Sequence, residues 1–358
     1  MADNKENKVL NVPALRFPEF TEEWNYESLD TIAPNITSGR SKPSLGEYNL
    51  YGSTGIIGKT ATADYSGDML LVARVGANAG SLQLVNDSCG ITDNTLIIKP
   101  CKLSSHYLYF YLQHYNLNRL VFGSGQPLIT AGMLKKVRIP FGNQLEQKKI
   151  ENFLCCIDER ITTQNKIIED LKKLKSAIYQ EMFGSLVAQT LKLGQVAEVV
   201  KGKQVNGTEL LEQGDYYVMN GGTLPSGWLY KYNTEANTIS ISEGGNSCGY
   251  VQYNTSPYWS GGHCYSLKIL HPQETSDLYL YHFLKWQEEN IMALRIGSGL
   301  PNIQKKDLLH FPVILPTITQ QNKIVLILSA IEEKVSCEIS ITQYFVKQKE
   351  YLLSQLFI

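Results

Sequence analysis

The chain contains one unit twice, and this duplication restricts its possible folds more than any other feature. Segment 123–129 reads GSGQPLI and segment 297–303 reads GSGLPNI, a shift of 174 residues. At the same shift EQKKI (146–150) meets QQNKI (320–324), and the register then runs on without a gap. Ile157 meets Ile331, Glu159 meets Glu333, Lys175 meets Lys349 and Phe183 meets Phe357. Earlier in each half the shift is 169. There Tyr48, Gly52, Thr54, Gly58, Gly76, Gly80, Gln83 and Lys99 coincide with Tyr217, Gly221, Thr223, Gly227, Gly245, Gly249, Gln252 and Lys268. Those are eight identities over 52 positions, four of them glycine. Glycine is kept where the backbone needs positive φ or close approach, while nearly every side chain between has changed. Upstream, LDTIA (29–33) resembles LGQVA (193–197) at a shift of 164. The halves share a backbone plan and present different surfaces.

Local pattern fills in the plan. Segments 69–73, 82–85, 95–99, 238–242 and 265–269 read as short strands between glycine-rich turns. Segments 105–119 and 277–295 carry apolar and aromatic residues at helical spacing. Each half is therefore expected to be a mixed α/β lobe with a largely antiparallel sheet. After each GSG segment comes a seven-residue apolar repeat. In the first, a is Ile150, Ile157, Gln164, Leu171 and Ile178, and d is Leu154, Ile161, Ile168, Lys175 and Met182. In the second, a is Ile324, Ile331, Glu338, Phe345 and Leu352, and d is Leu328, Val335, Thr342, Lys349 and Leu356. Sustained spacing of this kind indicates a coiled coil, against the alternative of an amphipathic helix packed on its own lobe. Chain order makes the pair antiparallel if the two helices meet, with polar interruptions at matching places. The expected fold is thus two pseudo-symmetric α/β lobes separated by an antiparallel coiled coil of two long helices. Its expected parts are an extension (1–23), a first lobe (24–142), a first helix (143–184), a second lobe (185–316) and a second helix (317–358).

Composition narrows the function classes. A chain of 358 residues with 43% hydrophobic and 19% charged residues is an ordinary globular protein. It has no run of about 18 apolar residues, and its start, MADNKENK, lacks a signal-peptide apolar core. A cytoplasmic location without membrane contact is expected. Seven cysteines with no CxxC pair argue against a disulfide framework or a zinc site and predict buried, reduced thiols. The net charge of −1 is uneven. Residues 24–142 hold ten Lys and Arg against seven Asp and Glu, a net of +3, whereas residues 190–316 hold nine against eleven, a net of −2. If such a chain binds DNA, a partner or a local patch must supply much of the phosphate neutralisation.

Signatures of catalysis are missing. Gly52-STGII-Gly58-Lys59-Thr60 looks like a phosphate loop but has five residues between the glycines where that loop needs four. Its repeat mate, Gly221-GTLPS-Gly227-Trp228-Leu229, has neither lysine nor hydroxyl, so a turn is the reading. His263 beside Cys264 has Asn94 and Thr95 as counterparts, and a structural histidine is the better reading there. There is no FxGxG-like methyl-donor loop, no Asn/Asp-Pro-Pro-aromatic tetrad, no HExxH and no GxSxG. The sequence offers recognition surfaces.

These features together resemble the specificity subunits of type I restriction-modification systems. The resemblance rests on the opening VPALRFPEF (12–20) with Trp24, on the two GSG segments, and on EQKKI and QQNKI leading into the heptad helices. It rests also on the order lobe, helix, lobe, helix. The second half departs from the pattern, because Leu193 onward lacks the LRFPEF element. The resemblance implies two target-recognition domains, each reading one half of a bipartite double-stranded DNA site. It further implies that the helices space the lobes and dock two methyltransferase subunits, with restriction/translocase subunits joining for cleavage. No cofactor is then expected on this chain; S-adenosylmethionine, ATP and Mg belong to the partners. Candidate DNA contacts are Arg40, Lys42, Lys59, Arg74, Asn78 and Gln126 in the first lobe, and Lys201, Lys203, Gln204, Asn246, Ser247 and His263 in the second. Each could equally be a solvated surface residue. The GSG glycines (Gly123, Gly125, Gly297, Gly299) are expected to shape a turn near the rod. The alternatives are a tandem binding module for a glycan or protein, built on tyrosine-rich lobes, and an enzyme with an unrecognised site.

If the paired helices act as a ruler, one heptad added to both at matching positions keeps the seam in phase and lengthens it by about 10 Å. That corresponds to roughly three more base pairs between unchanged half-sites, read by methylome sequencing. A two-residue insertion turns the seam by about 200° and abolishes assembly. Retained activity with an unchanged gap overturns the ruler.

Overall fold

The computed structural model describes residues 11–123, 127–297, 299 and 301–358. The chain divides into two compact units, Met1–Asn165 with Ser340–Ile358, and Lys166–Ile339. Each unit joins one mixed α/β lobe to an antiparallel pair of helix halves.

In the first unit a six-stranded sheet runs in the order Thr37–Ser38, Thr95–Ile98, Tyr65–Ala73, Leu82–Ile91, Tyr48–Gly52, Gly55–Thr60. Only Tyr48–Gly52 beside Leu82–Ile91 is parallel. Alternation along Tyr65–Ala73 decides which face packs where. Leu70 and Val72 join the core beneath helix Ser105–Tyr115, whereas Met69 and Leu71 pack with Val85, Cys89 and Ile91 on the other side. Ser104 starts that helix, its hydroxyl accepting from the Tyr107 N–H at 3.0 Å. A two-stranded ribbon, Asn25–Ser28 with Arg138–Phe141, ties the two ends of the lobe together.

The second unit repeats the plan with a four-stranded antiparallel sheet: Ala197–Lys201, Cys264–Ile269, Thr238–Ser242, Val251–Asn254. A three-stranded sheet (Trp228–Leu229, Tyr216–Met219, Trp259–Ser260) and the ribbon Gln189–Lys192 with Pro312–Leu315 complete it. Ser276 caps helix Asp277–Trp286 as Ser104 caps its counterpart. The buried Tyr107 and Tyr279 hydroxyls donate to the carbonyls of Pro140 and Ile314, at 3.0 and 2.7 Å. Each predicted strand is present, and segment 82–85 extends to Ile91. Segments 105–119 and 277–295 each begin as a helix but break after Tyr115 and Trp286 into a shorter helical turn.

The long helices run over Gln144–Gly184 and Ile318–Leu356. Every apolar seam position is buried or half-buried. In the first helix these are Ile150, Leu154, Ile157, Ile161, Ile168, Leu171, Ile178 and Met182; in the second, Ile324, Leu328, Ile331, Val335, Phe345, Leu352 and Leu356. The polar interruptions Gln164, Lys175, Glu338 and Lys349 lie on the same stripe. In the first unit Lys349 reaches Asp158 at 2.6 Å; in the second Lys175 reaches Glu332 at 2.5 Å. Those four positions exchange at the shift of 174, so one ion pair is made twice. Each clasps one helix half to its antiparallel neighbour, consistent with a register-setting role for polar seam residues.

The LRFPEF element belongs to the first unit as a clasp. The Arg16 guanidinium forks onto the carboxylate of Glu146 at 2.7 and 2.8 Å, and Glu146 is 1% exposed. Phe17 packs edge-on to Phe153, and the Leu15 N–H donates to the carbonyl of Gln355. The cysteines correct an expectation. Cys89, Cys248 and Cys264 are buried and Cys155 half-buried, but Cys101, Cys156 and Cys337 are exposed; all are free thiols. Cys156 and Cys337 fall off the heptad seam, on the outward faces of their helices.

One core site breaks the symmetry. His282 is fully buried, with Nδ1 2.9 Å from the Tyr179 hydroxyl and Nε2 3.3 Å from the Ser329 hydroxyl. Glu332 faces it 3.9 Å away, neutralised by Lys175 and shared with the hydroxyls of Tyr179 and Tyr281. The counterparts in the first unit are Phe110, Leu353 and Cys155, an apolar set. Burial outweighs Glu332 and holds the imidazole down to about 4. Between that value and the ordinary value of about 6.5 the unfolded chain binds a proton that the folded chain refuses. The stabilisation is thus full above pH ~6.5 and is lost as pH falls towards ~4. It amounts to about 3 kcal/mol. His282→Gln should remove this dependence, read as hydrogen-exchange protection of helix Asp277–Trp286 between about pH 7 and pH 4. Equal pH dependence in the variant and the parent overturns the assignment.

Candidate nucleic-acid interface

Both lobes build one backbone frame from hydrogen bonds that repeat position by position. Gly39 N–H donates to the carbonyl of Thr95, and Gly202 N–H to that of Cys264. Arg74 N–H donates to Asn94 and Glu243 N–H to His263, at 2.8 and 2.9 Å. Their own carbonyls accept from Ile129 and Ile303. Gly76 N–H reaches Pro127 and Gly245 N–H reaches Pro301, both at 3.0 Å. The tight turn requires glycine, because Gly76 and Gly245 sit at φ of 79° and 77°. The GSG segments, expected to shape a turn near the rod, are thereby bound to this frame through Pro127 and Pro301. Gly123 and Gly297 have φ of 101° and 97°; Gly125 lies outside the described residues, and Gly299 is an exposed bend.

In the second lobe the frame encloses a cleft of about 660 Å³. Lys201, Asn246, Ser247 and His263, four of the six residues singled out in this lobe, line it, together with Gly221, Gly245 and Pro301. Lys203 and Gln204 are exposed and do not line it. The Lys203 carbonyl accepts from the Trp259 indole at 2.9 Å, and Gln204 lies against Gly262. The cleft also contains a residue that the sequence reading passed over. Glu243, its side chain 13% exposed, takes Lys201 Nζ at 2.6 Å and the Tyr265 hydroxyl at 3.0 Å on one carboxylate oxygen. The other oxygen lies 3.9 Å from His263 Nδ1 and accepts no hydrogen bond among the described residues. Its signal in the sequence was the shift of 169, which makes Glu243 the counterpart of Arg74.

In the first lobe Arg74 is half-buried and Asn78 exposed on the equivalent turn. Arg40 and Lys42 are exposed on the segment after Gly39. Lys59 is exposed on the hairpin strand and donates to the Glu47 carbonyl and Asn49 Oδ1, so it stitches the hairpin together. Gln126 lies outside the described residues. The phosphate-loop look-alike is this hairpin, Tyr48–Gly52 with Gly55–Thr60, turning at Gly55 with φ of 110°. His263 is exposed in the turn before strand Cys264–Ile269 while Cys264 is buried, so the two do not form a joint site. Tyr107, Tyr258 and Tyr279 are fully buried, so part of the tyrosine richness serves the cores. Among the described residues no group of three His, Cys, Asp or Glu side chains could hold a metal, and no helix is long and apolar enough to cross a membrane.

Two lobes with one hydrogen-bonded frame and oppositely charged frame residues define a tandem-repeat scaffold. The sequence profile described as "Type I restriction modification DNA specificity domain" matches residues 9–173 and 188–343. The chain belongs to that family. A Mycoplasma genitalium protein named as a type I specificity subunit is 28% identical over an alignment of 252 residues that covers 65% of this chain and 66% of that protein. A Mycoplasma pneumoniae protein named likewise is 36% identical over 144 residues, 40% of this chain and 38% of that one. The chain thus aligns with less than two thirds of the length of either relative. The crystal structure of a type I restriction-modification S subunit from M. genitalium shares the fold, with a TM-score of 0.73 at 21% identity, over 97% of this chain and 99% of that one.

Proposed function

We propose that this chain is the DNA-reading subunit of a type I restriction-modification assembly, each lobe reading one half of a bipartite site. The observation that carries this is the repeated frame with exchanged side chains: sequence is read by side chains at base edges, and these lobes differ there while their backbones agree. The near-neutral charge suits a subunit whose partners hold much of the duplex backbone. Those partners are two adenine methyltransferase subunits docked along the helices, with restriction/translocase subunits added for cleavage. S-adenosylmethionine, ATP and Mg act on the partners, and the assembly works on cytoplasmic DNA. Methylating a base requires turning it out of the stack, so the lobes hold flanking bases while a partner performs the chemistry.

The purified chain alone is expected neither to methylate nor to cut DNA. With its methyltransferase subunit and S-adenosylmethionine it should yield N6-methyladenine within a two-part motif, and catalysis by the highly purified chain alone overturns the assignment. Exchanging residues 24–142 for the matching lobe of a relative should change one half-site and leave the other intact. Methylome sequencing that finds both halves altered together contradicts separable lobes.

A further inference from the structure

We infer that Arg74 and Glu243, one position of the repeated frame, are the residues that make the two half-sites unlike, Arg74 reading a guanine and Glu243 a cytosine. This rests on the reading of the lobes as DNA-binding. Both residues are fixed by the same backbone bonds: N–H to the turn residue Asn94 or His263, and carbonyl to Ile129 or Ile303. Each lies two residues before the turn glycine, with Val75 between Arg74 and Gly76 and Gly244 between Glu243 and Gly245. Their side chains therefore leave the backbone at the same place and carry opposite charge.

The chemistry of the two groups is mutually exclusive. A guanidinium offers only donors, and an ionised carboxylate only acceptors. In the major groove guanine presents two acceptors, N7 and O6, whereas cytosine presents the N4 amino donor. A base edge that satisfies Arg74 leaves Glu243 unmatched, and the converse holds. Glu243 is prepared for the task. Lys201 and Tyr265 hold one carboxylate oxygen at 2.6 and 3.0 Å, which fixes the group, while the other oxygen has acceptor capacity left on the cleft side. Arg74 makes no hydrogen bond or ion pair through its guanidinium among the described residues, so its donors are available. A half-buried Arg and a carboxylate 13% exposed are also set back from the surface, where phosphate contacts by Arg40 or Lys42 would be made.

The test uses the chain assembled with its methyltransferase subunits and duplexes carrying the methylome-defined motif. Each guanine of the first half-site is replaced in turn by 7-deazaguanine, which lacks only the N7 acceptor. Each cytosine of the second is replaced by 2-pyrimidinone, which lacks the amino group. At one position in each half the parent complex should lose binding by about 5- to 150-fold. Arg74→Ala should abolish the first loss alone and Glu243→Ala the second alone. Glu243→Gln, which can still accept from Tyr265, should turn the preference at that position towards adenine, and it serves if the alanine variant fails to fold. Uniform weakening across all duplexes marks a phosphate or structural role and overturns the inference. So does unchanged discrimination in the variants. A parent complex that does not prefer the bipartite duplex over a scrambled one overturns the DNA-reading function, and this assignment with it.

Discussion

A phenylalanine at or just past the end of each long helix is enclosed by a lobe, and that closure ties helix to lobe in each unit. Phe183 stacks on Trp286 with ring centroids 5.3 Å apart and meets Phe283 edge-on at 5.6 Å. Phe357 meets Tyr107 and Tyr111 edge-on at 5.5 and 5.7 Å. Burial of such a ring stabilises by about 1.5–3 kcal/mol, and each well-oriented aromatic pair adds about 0.5–1.5 kcal/mol. A helix with one apolar seam cannot stay in water alone, so its ends must be covered. The covering lobe takes the end of one helix and the beginning of the other. The first unit holds residues 144–165 and 340–358, and the second holds 166–184 and 318–339. Antiparallel pairing follows from that sharing.

Where the halves differ, the differences group into local sets. The first unit has Phe110, Leu353 and Cys155 where the second has His282, Tyr179 and Ser329. One imidazole inserted among apolar neighbours would be a buried polar group without partners, a cost of several kcal/mol. With two hydroxyls placed on its ring nitrogens it is satisfied, so the three residues must change together. The clasp in the first unit follows the same logic. Glu146 is 1% exposed and depends on the Arg16 fork, and the matching Gln320 in the second helix is uncharged and accepts from Thr317. The second half therefore has no need of an LRFPEF element, because there is no enclosed carboxylate for it to neutralise.

The frame was legible in the sequence because backbone requirements leave residue-type traces. Glycines at φ near 80°, serines at helix starts and apolar residues at heptad spacing are each selected by local geometry. Side-chain partnerships leave no such trace. Asn86, Asp87 and Ser88 look like turn residues, yet they continue strand Leu82–Ile91, with Asp87 taken up by Asn49 and Tyr51. Glu243 carries no such trace, because a carboxylate is not among the residue types that mark most DNA contacts. Its place is marked by the repeat register alone, at a position whose charge reverses between the halves. Exposure of Cys101, Cys156 and Cys337 was hidden for a related reason, since residue type predicts burial only on average.

Charge reversal on a constant frame explains how a nearly neutral chain can suit a polyanion. The frame bonds run between main-chain N–H and carbonyl groups, so a side chain facing the cleft can be exchanged without loss of the turn that presents it. Net charge over a lobe then reports little about recognition. The first lobe carries +3 over residues 24–142 and the second −2 over residues 190–316, yet both keep the same glycine turn and the same proline contact. A carboxylate costs affinity when it faces phosphates and adds discrimination when it faces an amino group, and depth decides between these outcomes. Glu243 sits back in its cleft, held by Lys201 and Tyr265, with its charge partly offset by the lysine. A fixed backbone with interchangeable cleft residues lets one duplicated fold carry two recognition chemistries, and a duplicated fold with identical clefts could read only a repeated half-site.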